Sequence, residues 1–292
     1  MNAKVSTICG LLAILLWSSL VGLIRGVAEN FGPMVGAAYI YTIGCVLLLF
    51  FVGLPRLKKG SWVYLASSGI LFATYEICLI LSIGLAHNSS QAIEVSMLNY
   101  LWPCLTILLA IVMNKQPATL WVIPGSLLAL SGIVWILSGS GFSPAVMLAN
   151  LADNPLSYGL AFFGAIIWAL YCNLTKRFAS GQNGVTIFFA LTAAGVWLIF
   201  LISGGSIPEV DNSAYWELLI AAAAMAFGYA LWNIGILRGN MTLLATASYF
   251  TPVLSSAFAG FWLGNVLGLQ FWQGAALVTA GSLLCWWSTR GS

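Results

Sequence analysis

"NYLWPCLTILLA", residues 99–110, and "SYFTPVLSSAFA", residues 248–259, decide how this chain folds. Both are apolar stretches in which a tyrosine stands three residues ahead of a proline: Tyr100 with Pro103, and Tyr249 with Pro252. The first belongs to a run with no charged residue from Val95 to Asn114, yet it carries Asn99, Tyr100 and Trp102, with Glu94 just upstream. Working outward, Ala110, Gly125 and Gly132 also recur 149 residues later, as Ala259, Gly274 and Gly281. The opening segments match at an offset of 151, where "LLWSSLVGLIR" meets "IIWALYCNLTK" and pairs Trp17 with Trp168 and Arg25 with Lys176. The chain therefore reads as two copies of one unit.

Composition says in what solvent that unit folds. The 292 residues include ten Lys and Arg and seven Asp and Glu, and 61% are hydrophobic. Mean hydropathy is +0.99, whereas a soluble domain is about one quarter charged. An integral membrane protein is implied, with almost nothing left over for a soluble domain. A net charge of +3 is too small to suggest nucleic acid. Cys9, Cys45, Cys78, Cys104, Cys172 and Cys285 all fall inside apolar segments at scattered spacings, as small core residues rather than a disulfide framework. The first apolar run follows a single Lys4 and shows no convincing small-residue cleavage site, so it is expected to be a retained helix.

Charges, glycines and prolines divide the chain into ten apolar segments, at about 5–25, 33–53, 61–86, 90–113, 118–138, 157–176, 184–203, 213–236, 241–264 and 269–288. Each is long enough to cross the hydrocarbon layer as a helix, which needs about 20 apolar residues. With the N-terminus in the cytoplasm, nine of the ten basic residues fall on the inner side: Lys4, Arg56, Lys58, Lys59, Lys115, Lys176, Arg177, Arg238 and Arg290. Arg25 alone falls outside, where Glu29, Asp153, Glu209, Asp211 and Glu217 also lie. The expected architecture is an all-α membrane protein of ten transmembrane helices, with N- and C-termini cytoplasmic. Residues 1–138 form the first five-helix repeat, 139–156 an external connection, and 157–292 the second repeat. Five is odd, so the second copy enters from the opposite side. Inverted repeats of this kind build alternating-access transporters with a midplane site at the repeat interface.

Polar residues at depth normally face a bundle interior or a watery cavity. On an unbroken helix Gln91, Glu94, Trp102 and Thr106 share an arc of about 120°, so one face of segment four reads as the wall of a path. Pro103 removes a backbone hydrogen bond and is expected to bend the helix as a hinge, as is Pro252. Segment three stacks Ser68, Tyr75, Cys78 and Ser82 on one stripe; segment six pairs Trp168 with Tyr171 and Thr175; segment eight sets Tyr229 beside Trp232 and Asn233. Such aromatic, hydroxyl and amide faces suit a planar or zwitterionic solute. The candidate substrate contacts are Trp17, Tyr75, Glu94, Asn99, Tyr100, Trp102, Trp168, Tyr171, Trp232, Asn233 and Tyr249. Glu76 and Glu94 are the two acids in or near the membrane. For Glu94 three roles are open: pairing with Arg25, meeting a substrate ammonium, or coupling protons. Trp62, Trp216 and Trp272 at segment ends read as interface anchors, and the pairs Gly22/Gly26, Gly32/Gly36 and Gly260/Gly264 as close helix packing.

Enzyme chemistry lacks its parts. The lone His87 lies in an outer loop, and there is no HExxH, GxSxG or GxxxxGK[ST] motif, so no catalytic residue, metal or cofactor is expected. Two five-helix repeats of this size resemble the ten-helix EamA-like branch of the drug/metabolite transporter superfamily. The stretches "LLWSSLVGLIRGVAENFGP", "YEICLILSIG", "QAIEVSMLNYLWP", "NIGILRGN", "SYFTPVLSS" and "FWQGA" look like bacterial amino acid exporters of that branch, end to end. The resemblance implies a bacterial inner-membrane protein, a monomer in the lipid bilayer. It implies a central cavity lined by segments one, three, four, six, eight and nine, and broad export of aromatic and other neutral amino acids. Carriers of sugar nucleotides need basic residues in the cavity, and no Lys or Arg lies deep in any span. A multidrug exporter of lipophilic aromatic cations, or a membrane scaffold without transport, are the alternatives.

Overall fold

The computed structural model describes residues 2–55, 61–115, 118–137, 144–179, 182–239, 244 and 247–288. Arg56, Lys58, Lys59 and Arg290, which help to set the expected orientation, lie outside the described residues, as do the side chains of Lys176 and Arg238. Helices and short turns account for the described residues, with no strand among them. The helices are α1 (Ala3–Phe31), α2 (Pro33–Phe51), α3 (Ser61–Gly84), α4 (Ser89–Asn99), α5 (Trp102–Asn114), α6 (Val122–Leu137), α7 (Pro144–Asp153), α8 (Pro155–Phe178), α9 (Val185–Ile202), α10 (Ala214–Arg238), α11 (Thr251–Trp262) and α12 (Leu269–Trp287). Seven apolar helical stretches among the described residues are long enough to cross a membrane, with α6 a shorter apolar helix. Phe50, Val112, Leu120 and Phe261 are each more than three-quarters exposed, surface that a bilayer would cover.

Segment four is two helices, not one bent helix. The α4 helix stops at Asn99 and α5 starts at Trp102, so Pro103 stands in the first turn of a new helix, where a missing N–H costs nothing. Across the break the Leu101 N–H reaches the Leu98 carbonyl at 3.2 Å and the Leu105 N–H reaches Leu101 at 3.1 Å. At the matching place, 149 residues on, Phe250 N–H reaches Ala247 at 3.1 Å and Leu254 N–H reaches Phe250 at 3.0 Å, and Pro252 again occupies the first turn, of α11. The two prolines begin helices rather than bend them.

Packing has the same internal correspondence. The main helix pairs are α1 with α10, α3 with α8, α2 with α9, and α6 with α12; α1 also meets α11, α8 meets α4 and α5, α2 meets α10, and α3 meets α9. Exchanging α1 with α8, α2 with α9, α3 with α10, α4–α5 with the stretch ending in α11, and α6 with α12 maps every one of these pairings onto another or onto itself. At the α6–α12 contact the repeated glycines face one another crosswise. A Cβ at Gly132 would stand 2.7 Å from the Gly274 carbonyl oxygen, and one at Gly274 would stand 2.8 Å from the Gly132 oxygen. Gly32 and Gly264 do different work from the packing expected of them: both have positive φ, 77° and 64°, with nothing near their missing Cβ, so they are turns.

Arg25 is not at the end of its helix. The α1 helix runs on to Phe31, and Arg25 is buried, its Nε 2.7 Å from Glu29 and one guanidinium nitrogen donating to the Ala86 carbonyl. An acid one turn on and the carbonyls ending α3 replace the water this guanidinium would otherwise need. The stripe of Ser68, Cys78 and Ser82 is likewise spent on packing against α8: Thr175 donates to Ser68 at 3.0 Å, Ser157 donates to the Ser82 carbonyl, and Gly164 lies against Cys78.

Gly132→Val should push α6 from α12, because the atoms in its way are backbone; we expect a loss of about 1–3 kcal/mol. Thermal unfolding of the purified protein checks this, with Gly159→Ala as the control, since nothing lies within 4 Å of that Cβ position.

Candidate functional site

A cavity of about 190 Å³ lies between the two sets of helices. Its walls come from α1, α3, the α4–α5 break, α8, α10 and residues 248–251, which are segments one, three, four, six, eight and nine of the sequence. Seven of the candidate contacts meet there: Trp17, Tyr75, Asn99, Tyr100, Trp102, Trp168 and Trp232.

Aromatic rings make most of the enclosure. The Trp168 ring lies 4.4 Å from Tyr75 at 34°, stacks on Tyr171 at 4.7 Å, and meets Trp102 edge-on at 6.3 Å. Opposite, Trp17 contacts Tyr229 at 5.2 Å and Trp232 at 5.1 Å. The Trp17 indole comes so near α10 because residue 228 is glycine; a Cβ there would stand 2.7 Å from its Nε1. Ring pairs of this kind hold one another in place and add about 0.5–1.5 kcal/mol beyond their burial, so the walls are pre-formed.

Three polar features stand in this aromatic shell. Glu76 is fully buried, accepts from the hydroxyl of Tyr41 on one oxygen and of Tyr229 on the other, and is the one charged side chain lining the cavity among the described residues. The Trp17 Nε1 donor and the Asn99 Oδ1 acceptor are buried with no partner among the described residues, although the Asn99 amide nitrogen reaches the Tyr75 hydroxyl at 3.4 Å. Both atoms are closed in against neighbouring helices, Trp17 Nε1 toward Gly228 of α10 and Asn99 Oδ1 toward Gly164 of α8, and an unmade hydrogen bond at such a place costs free energy.

Four candidates do not reach this cavity. Tyr171 stands behind Trp168, against Phe72. Asn233 is absent from the lining, being turned a further 100° round α10 from Trp232. Tyr249 points to Trp286, 6.1 Å away; its match Tyr100 has only Leu137 in the equivalent place and turns inward. Glu94 lines a separate cavity and accepts from the Tyr158 hydroxyl at 2.7 Å. Arg25 is engaged elsewhere, so the Arg25–Glu94 pair does not form. The shared face predicted for Glu94 and Trp102 assumed continuous helix, and the break at Tyr100–Leu101 changes the phase between them. Conversely, Glu76, Tyr229, Met225, Cys172 and Thr251 line the cavity without having been among the candidates. The isolated acid at 76 and the three-residue spacing of Tyr229 from Trp232 were the available signals.

Comparison with known proteins agrees along the whole chain. The EamA-like transporter family profile matches residues 5–138 and again 155–287. The aromatic amino acid exporters YddG of Salmonella typhimurium and of Escherichia coli are each 49% identical to this chain over 99% of it and 99% of their own length. A solved crystal structure, 26% identical, superposes with a TM-score of 0.66, covering 97% of this chain and 96% of that one.

Tyr41→Phe and Tyr229→Phe should each destabilise the fold by about 1–3 kcal/mol, by leaving a buried carboxylate oxygen without a donor. The Glu76→Gln background should shrink both losses. A double-mutant cycle on thermal midpoints measures that coupling.

Proposed function

The chain belongs to the EamA-like transporter family, and from that premise we infer that it is a carrier rather than an enzyme. It is a multi-pass protein of the bacterial inner membrane, an exporter of aromatic and other neutral amino acids. The reading is of ten spans in two inverted five-helix repeats, 1–138 and 157–292, joined outside by 139–156, with both termini cytoplasmic and the cavity exposed alternately to each side. A monomer in the lipid bilayer suffices, because the cavity is completed within one chain; no cofactor and no nucleic acid enters the cycle.

The observation that carries the substrate class is the aromatic box of Trp17, Trp102, Trp168 and Trp232, with Glu76 as the one charged residue in its described lining. An amino acid zwitterion suits such a box: its ammonium is drawn toward Glu76, and the hydroxyl and amide groups of the lining, such as Thr251 and Asn99, meet its carboxylate. Trp102 and Trp168 then flank the side chain. The absence of Lys and Arg from the described lining argues against phosphorylated solutes. An exporter of lipophilic aromatic cations is the second reading, favoured by Glu76 as the single charge of the cavity wall.

Counterflow into proteoliposomes with a panel of amino acids and one aromatic dication separates the two, and a scaffold would show no flux at all. Trp102→Ala should slow phenylalanine roughly 2- to 12-fold more than threonine, the value of one ring contact; equal slowing demotes Trp102 to packing. For topology, a cysteine at Ser143 should react with an impermeant thiol reagent in intact cells. Reaction only after lysis would reverse the orientation.

A further inference from the structure

A second cavity, of about 210 Å³, lies between the start of α4, the end of α6 and the turn joining α11 to α12. With both termini cytoplasmic it opens at the outer membrane surface, and its role depends on that reading of the topology. Its floor is Glu94, half-buried, with Oε2 held by the Tyr158 hydroxyl at 2.7 Å and Oε1 without a protein donor among the described residues. One helical turn away is Ser90, whose Oγ accepts from the Asn265 amide at 2.8 Å and keeps its own proton free to donate. Leu267, Phe271 and Val266 make an apolar wall.

The charge arithmetic of this side is unusual. Among the described residues Arg25 pairs with Glu29, and the His87 ring meets Asp153 at 3.0 Å. Arg25 is further spent on the carbonyls of Gly84 and Ala86. Glu94 therefore has no cation among the described residues, although it is withdrawn from bulk water against an apolar wall, a placement that favours a positive guest. The side chain also faces away from the central cavity: on α4 it is turned about 200° from Ser96, which lines that cavity. The central site can be full or empty without contact with Glu94.

We propose that this outer cavity is a second binding site, for the primary ammonium of a small amine or neutral amino acid, with Glu94 as its anion, Ser90 as donor to a neighbouring carboxylate and Phe271 with Leu267 against the side chain. An ammonium carries three donors, and Glu94 Oε1 takes one of them. A molecule leaving the central cavity would be held here before it escapes, so the outer mouth discriminates for a positive charge after the aromatic box has selected the ring.

The test reads occupancy at the outer wall. Val266 is 94% exposed, so Val266→Cys offers a thiol to an impermeant maleimide in proteoliposomes, with the otherwise wild-type chain as background. Millimolar 2-phenylethylamine and phenylalanine should slow its labelling roughly threefold, as at a ligand concentration about twice the dissociation constant. Glu94→Gln should abolish the protection, Glu94→Asp should retain part of it, and Trp102→Ala should leave it intact. No protection, protection that survives Glu94→Gln while folded protein is present in normal amount, or protection lost with Trp102→Ala would each overturn the site. Slow labelling in phosphatidylethanolamine vesicles and fast labelling in phosphatidylcholine vesicles, with no amine added, would assign the cavity to a lipid headgroup and overturn it equally. Phenylalanine counterflow in the same vesicles keeps the two readings apart: flux without protection removes the outer site alone, and protection without flux removes the export reading alone.

Discussion

A backbone N–H or C=O that loses its helical partner inside a bilayer finds no water to replace it, and this one constraint organises the molecule. Helical hydrogen bonding is interrupted at Tyr100–Leu101 and at Tyr249–Phe250, and both interruptions are bridged by the same short-range hydrogen bonds. Lipid cannot tolerate such turns, so they must lie inside the bundle, where they border the central cavity. Asn99, Tyr100 and Trp102, and Ser248 and Thr251, enter its wall for that reason. Proline contributes by position. In the first turn of α5 and of α11 it forbids continuation of the preceding helix while leaving its own intact.

A cavity opened in this way has to hold its shape without a bound solute. Ring contacts around Trp168 and Trp17 supply rigidity, and Glu76 ties three helices together, since Tyr41 comes from α2, Glu76 from α3 and Tyr229 from α10. A carboxylate so deep is costly unless each oxygen has a donor, and tyrosine meets that need while leaving its ring to the aromatic wall. Removing one hydroxyl frees a lone pair toward the cavity. In the proposed reading, the structural tie and the attraction of a positive group draw on the same oxygens.

Repetition along the chain was the most legible feature of the fold, because it reaches from Trp17/Trp168 to Gly132/Gly281 and sets backbone geometry at every matched place. Side-chain direction was less legible. Tyr100 and Tyr249 both stand in the turn before a proline-started helix, yet Tyr100 lines the central cavity and Tyr249 lies against Trp286, whose sequence match in the first half is Leu137. Helical phase predicts facing within a single helix and fails across the break, which is how Glu94 came to be grouped with Trp102. Tyr41 carried no signal at all: one tyrosine in an otherwise apolar span is unremarkable until a partner acid is placed beside it by tertiary packing. The link from Arg25 to the end of α3 was hidden for the same reason.

The departure from symmetry has a consequence for transport. Pairings that map onto one another allow two arrangements of similar packing energy, one open to each side, so a modest differential affinity suffices to shift between them. A fully symmetric lining would bind the solute equally in both and give no preference. Here the first half contributes Asn99, Tyr100 and Trp102 at its break, while the second contributes Ser248 and Thr251. The break of one half thus carries an amide and two large rings, and the break of the other small hydroxyls. In the proposed alternating access, contacts of a ring-bearing solute to the two breaks change unequally, and that inequality lets a repeated scaffold distinguish its two faces.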